Sequence, residues 1–166
     1  YRILLPSERP TIMIDVYITT KKQDKYLEQC VESLRNQPCT IHFNDFHPDG
    51  AGEARYFALN RSGSSKYVAF VDPDDYLINE PLSRGLYMLA KYGKERSSYF
   101  TNHWIMMNEE YKRKWFHEPP PPTSLTNEIA MHQIVIYKRD ILEKCIDDVD
   151  RAESIAMRLA NLNAIY

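Results

Sequence analysis

Three carboxylates fall within four positions, Asp72-Pro73-Asp74-Asp75, at the end of a short apolar run, Lys66-Tyr67-Val68-Ala69-Phe70-Val71. Such a run reads as a buried strand that delivers its acids to the edge of a sheet. Like charges this close repel and raise one another's pKa unless a cation or cationic side chains sit among them. A hard divalent ion that itself holds a nucleotide diphosphate meets that need. The plainer alternative is a Pro-containing turn in which Asp72 and Asp75 satisfy backbone donors ahead of a helix starting near Pro81.

The rest of the chain supplies elements that could carry these acids. Thr11 to Thr19 is an apolar, β-branched run that reads as a strand, with Asp15 anomalous inside it. Asp24 to Asn36 sets Tyr26, Leu27, Cys30, Val31 and Leu34 at helical spacing. Thr40 to Phe46 reads as a second strand ending near Asn44-Asp45, followed by the turn-rich His47 to Gly52 and a helix from Glu53 to Arg61. A further helix spans Pro81 to Tyr92, with Pro in a first-turn position and Gly93 as its stop. Ser97 to Met107 and Met131 to Tyr137 are expected strands, separated by the charged stretch Asn108 to His117 and by four prolines, Pro119 to Pro122. Those prolines enforce an extended surface loop. Helical periodicity returns from Asp147 to Asn163 through Ile155, Ala156, Leu159 and Leu162.

Strands alternating with helices in the first half predict an α/β fold with a mainly parallel sheet flanked by helices. Ligands of such sheets sit at the carboxyl ends of the strands. Thr19-Thr20, Asn44-Asp45 and Asp72-Pro73-Asp74-Asp75 are therefore expected on one rim.

At 166 residues the chain is expected to form one domain with a real core. A formal net charge of -2 with 27% charged residues gives no broad attraction to nucleic acid or anionic membrane. There is no apolar run of about 20 residues and no basic-then-apolar leader, so a cytoplasmic protein without a transmembrane segment is expected. Cys30, Cys39 and Cys145 lack C-x-x-C spacing and read as packing thiols rather than zinc ligands or a disulfide framework. His42, His47, His103, His117 and His132 are isolated in sequence, and none is assigned to a metal.

The order of motifs from about Thr11 to Leu77 resembles the family 2 glycosyltransferases, which have the GT-A fold and transfer a sugar from a nucleotide diphosphate. The family's helix Y-L-x-x-C-x-x-S-L-x-x-Q is matched by Tyr26-Leu27-Glu28-Gln29-Cys30-Val31-Glu32-Ser33-Leu34-Arg35-Asn36-Gln37. Its Gly-x-Gly-x-Ala-Arg segment is present as Gly50-Ala51-Gly52-Glu53-Ala54-Arg55, and its acid-tipped strand as Tyr67 to Asp75. Asn44, Phe46 and Thr19 stand where that family usually has aspartate, glycine and proline.

The resemblance implies an inverting, metal-dependent glycosyltransferase using Mn²⁺ or Mg²⁺ and a nucleotide-sugar donor, UDP-linked if Asp45 accepts the N3–H of a uracil. Thr20, Asp45, Arg55 and Asp72 would bind the donor, Arg55 by offering a planar fork to the diphosphate or the base edge. Asp72 and Asp74 would be the metal pair, with Asp74 on the ion and Asp72 on the ribose or the metal shell. Inverting members take a general base from the start of a late helix, and Glu153 and Asp150 are the candidates. Acids in a first helical turn also complement the helix dipole, whatever the protein does. The nucleotide-sugar part would span about 11–77 and the acceptor side about 97–166, where Asn108 to Thr126, with Tyr111, Trp115 and Phe116, could form an acceptor flap. The acceptor could be a saccharide, a protein, a lipid carrier or a modified nucleic-acid base. The alternatives are a degenerate, non-catalytic GT-A domain and a nucleotidyltransferase of related fold, although Thr19-Thr20-Lys21-Lys22 lacks the glycine that a triphosphate loop wants.

Overall fold

The computed structural model describes residues 12–21, 23–48, 50–92, 98–100, 103–107, 110–115, 134–148 and 164–165. Its strands are β1 (Ile14–Thr19), β2 (Cys39–Asn44), β3 (Tyr67–Phe70), β4 (Ser98–Phe100), β5 (His103–Met107), β6 (Glu110–Trp115), β7 (Val135–Lys138) and β8 (Ala164–Ile165). Its helices are α1 (Lys25–Leu34), α2 (Ala51–Arg61), α3 (Pro81–Tyr92) and α4 (Arg139–Asp148). Six strands form one sheet in the order β2-β1-β3-β7-β4-β8, and β5 and β6 form a separate antiparallel pair. Within the six, β1 runs parallel to β2 and β3, whereas β7 runs antiparallel to both of its neighbours. β7 alone is reversed, so the sheet is mixed but mainly parallel, as the alternation of elements predicts.

β1 is central, and its side chains divide between two cores by strand alternation. Ile14, Val16 and Ile18 pack with Leu27, Cys30 and Leu34 of α1 and with Leu82, Leu86 and Leu89 of α3. On the other face Tyr17 joins Val68, Phe70, Val135 and Tyr137, covered by Ala58 and Leu59 of α2 and Leu142 of α4. Helices on both faces explain why β1 and β3 are apolar almost throughout. β2 lies at the edge, and its Phe43 is exposed.

Local signals set the helix starts. Asp24 has extended backbone and accepts from the N–H groups of Tyr26 and Leu27, both at 3.0 Å, so it caps α1. The buried stripe of that helix is Leu27, Cys30 and Leu34; Tyr26, expected on the same face, is exposed instead. α2 starts at Ala51, two residues before the expected Glu53, because Gly50 turns the chain with φ 108.

The later half differs more from expectation. The run from Ser97 to Met107 yields two strands in different sheets, β4 and β5, rather than one. The charged stretch after Asn108 contains a strand, β6, paired with β5 through an irregular register at Ile105/Met106. α4 follows β7 directly, where no helix was expected. The proline tract and most of the helix expected from Asp147 to Asn163 lie outside the described residues, although Asp147 and Asp148 end α4. No helix of the described residues is long and apolar enough to cross a membrane.

Candidate functional site

The parallel register brings three strand ends level. Thr19 of β1 pairs with Asn44 of β2, and the Thr20 N–H donates to the Asn44 carbonyl at 2.9 Å. On the other side Tyr17 pairs with Phe70, and the Val71 N–H donates to the Tyr17 carbonyl at 3.1 Å, so β3 leaves the sheet beside Thr19. The next residue is Asp72. Thr20, Asp45 and Asp72 thus share one rim, as the topology demands of parallel strands.

Asn44 organises the β2 end. Its amide Nδ2 donates to Thr19 Oγ1 at 3.0 Å, to the Asp45 carbonyl at 3.2 Å and to the Ala54 carbonyl at 3.2 Å. An aspartate could not donate any of these, so asparagine here ties β1, the β2 exit and α2 together. Asp45 beyond it is exposed on the rim. Lys21 stands over the ring of the exposed Phe46, 5.3 Å from its centroid, and His47 stacks on Phe57 at 4.7 Å.

Asp72-Pro73-Asp74-Asp75 forms a turn closed by the Asp75 N–H donating to the Asp72 carbonyl at 3.1 Å. Proline suits the second position of such a turn. The Asp72 carboxylate accepts from Arg55 Nη2 at 3.1 Å, and the Arg55 guanidinium also lies 5.5 Å from the Phe70 ring centroid. Arg55 comes from α2, so two motifs far apart in sequence meet here. Asp72 is thus one partner of the arginine, across 17 positions of sequence. Asp74 is exposed at the outer corner of the turn. Among the described residues no three His, Cys, Asp or Glu side chains are grouped as a metal cage. Mg²⁺ commonly takes only one or two carboxylates and completes its shell with phosphates and water, so Asp74 with Asp72 has the chemistry for it.

A second polar cluster sits at the opposite end of β1. Asp15, 3% exposed, accepts from the Ser65 N–H at 2.8 Å and from Arg139 Nη2 at 2.7 Å, and pairs with His42 Nε2 at 2.9 Å. Burial alone would push the Asp15 carboxyl up, but hydrogen bonds from His42 and Ser65 together with the His42 charge hold it below its ordinary value. Arg139 also donates to the Ser65 carbonyl at 2.8 Å and to the Tyr17 hydroxyl at 3.0 Å. Burial pulls its pKa down, and those bonds with Tyr17 and Asp15 outweigh that and raise it. These bonds join α4 to β1 and to the α2–β3 connection. Sequence reasoning flagged Asp15 but not its partner Arg139, which lies 124 positions away.

Of the site residues expected from sequence, Thr20, Asp45, Arg55, Asp72 and Asp74 fall on the rim, and Arg55 touches Asp72. Glu153 and Asp150 lie outside the described residues. Most of the expected acceptor flap does too; its Glu110–Trp115 portion is β6.

No protein-family model and no curated protein matches this sequence. Solved structures do. S. aureus TarS 1-349 is similar with a TM-score of 0.65 at 18% identity, over 93% of this chain and 58% of that one. A longer S. aureus TarS structure gives 0.64 at 16% identity, over 93% of this chain and 35% of that one. A197 from STIV gives 0.57 at 13% identity, over 92% of this chain and 80% of that one. The chain thus spans little more than half the length of TarS 1-349. Likeness at this identity defines the fold alone, a mixed, mainly parallel α/β sheet with flanking helices.

Proposed function

We propose that this chain is a glycosyltransferase domain that binds a nucleotide-sugar donor, most simply a UDP-sugar, on the rim formed by Thr20, Asp45, Arg55 and Asp72. The observation that carries the reading is the Arg55–Asp72 contact at 3.1 Å, which joins the Gly-x-Gly-x-Ala-Arg helix to the acid turn on the ligand side of a glycosyltransferase-like sheet. Asp45 would accept the N3–H of the base, and Arg55 would offer its fork of donors to the diphosphate or the base edge. Asp74, with Asp72, would hold Mn²⁺ or Mg²⁺, which when bound supplies positive charge against the departing diphosphate. Inversion needs a carboxylate within reach of the acceptor hydroxyl, a role we assign to Glu153 or Asp150.

The Arg55–Asp72 pair also favours a second reading, a domain that binds without turnover, because the arginine neutralises one acid with no metal needed. Thermal stabilisation separates the two. UDP with Mn²⁺ or Mg²⁺ should raise the unfolding midpoint well above UDP with EDTA, and Asp74→Asn should remove that increment while leaving the apo protein folded. An increment unchanged in the variant would remove Asp74 from the site. UDP binding with no dependence on metal and no sugar transfer across an acceptor panel would favour the binding module.

A further inference from the structure

The acid turn leaves the sheet at Val71 and does not re-enter regular structure until α3, yet both of its ends are held by one helix. The Cys30 thiol of α1 lies 3.7 Å from the Asp72 carbonyl oxygen, and Ser33, less than one helical turn further along, accepts from the Leu77 N–H at 3.0 Å. The Ser33 hydroxyl spends its single proton on the Cys30 carbonyl, at 2.6 Å, which turns its lone pairs outward to receive Leu77. The Asp72 carbonyl receives two donors, the Asp75 N–H that closes the turn and the thiol, matching its two lone pairs. Leu77 is anchored twice, because its side chain is in the core beside Leu27 and Cys30.

We propose that Cys30 and Ser33 are positioning residues for the donor site: α1 brackets the segment from Asp72 to Leu77 and so sets where Asp72 and Asp74 stand on the rim. Cys30 is fully buried, and burial, with the charges of Asp75, Asp72 and Asp74, pushes its thiol up to about 12. The group is therefore a protonated donor at neutral pH, not a nucleophile. Asp72 is fixed through its backbone by Cys30 and through its carboxylate by Arg55. A metal-and-phosphate site needs its carboxylates held to a fraction of an ångström, and an irregular segment such as Asp72 to Leu77, without ladder bonds, gets that precision only from such tethers. The Cys-x-x-Ser spacing on α1 is the shortest that puts a buried thiol and a hydroxyl on the same helix face.

The inference rests on the donor-site reading, and two independent measurements keep them apart. Amide hydrogen exchange over residues 72–77 reports the bracket with no ligand present, and calorimetric titration with UDP and Mn²⁺ reports its consequence. Ser33→Ala should expose the Leu77 amide to exchange and weaken UDP·Mn²⁺ binding by roughly 2- to 12-fold, the equivalent of one ordinary hydrogen bond. Ser33→Thr, which keeps the oxygen, should restore both, and Cys30→Ala should speed exchange at Asp75. Ala58→Gly on the far face serves as a control for lost stability and should leave UDP affinity as it is in the wild type. Unchanged exchange at Leu77 in Ser33→Ala overturns the bracket. Faster exchange with wild-type affinity overturns its positioning role, as does an equal loss of affinity in Ala58→Gly. A wild type that binds no UDP with Mn²⁺ refutes the donor-site reading instead, and the exchange arm alone then decides whether α1 holds the turn.

Discussion

Removing the Asp15 carboxylate should destabilise this protein more than most substitutions at the rim. Its side chain is 4% exposed and that of Arg139 12%, so little solvent screens the pair. In Asp15→Ala the Ser65 N–H loses its acceptor, and the Arg139 guanidinium loses its buried acidic partner and keeps the more exposed Glu143 at 3.5 Å. Breaking one side of a buried pair costs about 3–5 kcal/mol, against a total stability of about 5–15 kcal/mol for an ordinary domain. Asp15→Asn keeps the shape and an acceptor but loses the charge, and should cost about 1.5–3 kcal/mol. Urea unfolding at pH 7 measures both. The acid side adds a second check. Folding holds the Asp15 carboxyl below its ordinary, unfolded value, so its contribution is present above that value and is lost as the pH falls through the lower, folded one. The stability gap between wild type and Asp15→Asn should therefore shrink between pH 7 and pH 2. A loss under about 1 kcal/mol in Asp15→Ala, or a gap that does not change with pH, would refute the role given to the carboxylate.

Gly63 has φ 78, and an added Cβ would collide with the Asp15 carboxylate, so Gly63→Ala should cost about 1–3 kcal/mol or more in the same urea assay. Asp45→Ala should weaken UDP binding by about 1.5–3 kcal/mol in calorimetry, and equal wild-type affinity for UDP and ADP would count against its contact with the base. Glu153→Gln and Asp150→Asn should be compared for turnover: the true base loses about 10²–10⁴-fold and keeps donor affinity, whereas a helix-terminal acid loses only about 0.3–1 kcal/mol of stability. Retention of near-wild-type rates by both would place the base elsewhere, with Asp147 and Asp148 next to be tried.

The parallel half was legible because each of its elements carries a local signal. α3 runs from Pro81 to Tyr92 as its proline start predicts, and Asp24 announces α1. The rim followed, since strand direction alone puts Thr20, Asp45 and Asp72 together. What stayed hidden depends on pairing between distant segments. Ser97 to Met107 carries no Gly or Pro to show that the chain changes sheets within it. Four of the six residues of Glu110–Trp115 are charged, so alternation could not mark it as a strand. Asp15 could be seen to need a partner, but nothing in sequence points across 124 positions to Arg139. Ser33 stands in the α1 motif with no sequence signal of its acceptor role toward Leu77.

The reversed strand has a consequence for how the chain reaches this structure. β1, β2 and β3 lie next to one another and come from residues 14–70, so they can assemble as the chain emerges. β4 cannot join them then, because its ladder partners among the described strands are β7 and β8. It must wait until residues 135–138 have been synthesised and wedged against β3. For that interval the outer edge of β3 is an open template and β4 a strand with no ladder. Arg139, the residue that immediately follows the wedge, binds the Asp15 cluster at the far end of the same sheet. Seating of β7 and neutralisation of the buried acid are thereby coupled into one late event, and slow, long-range closure of this kind is where a nascent sheet is most open to mispairing.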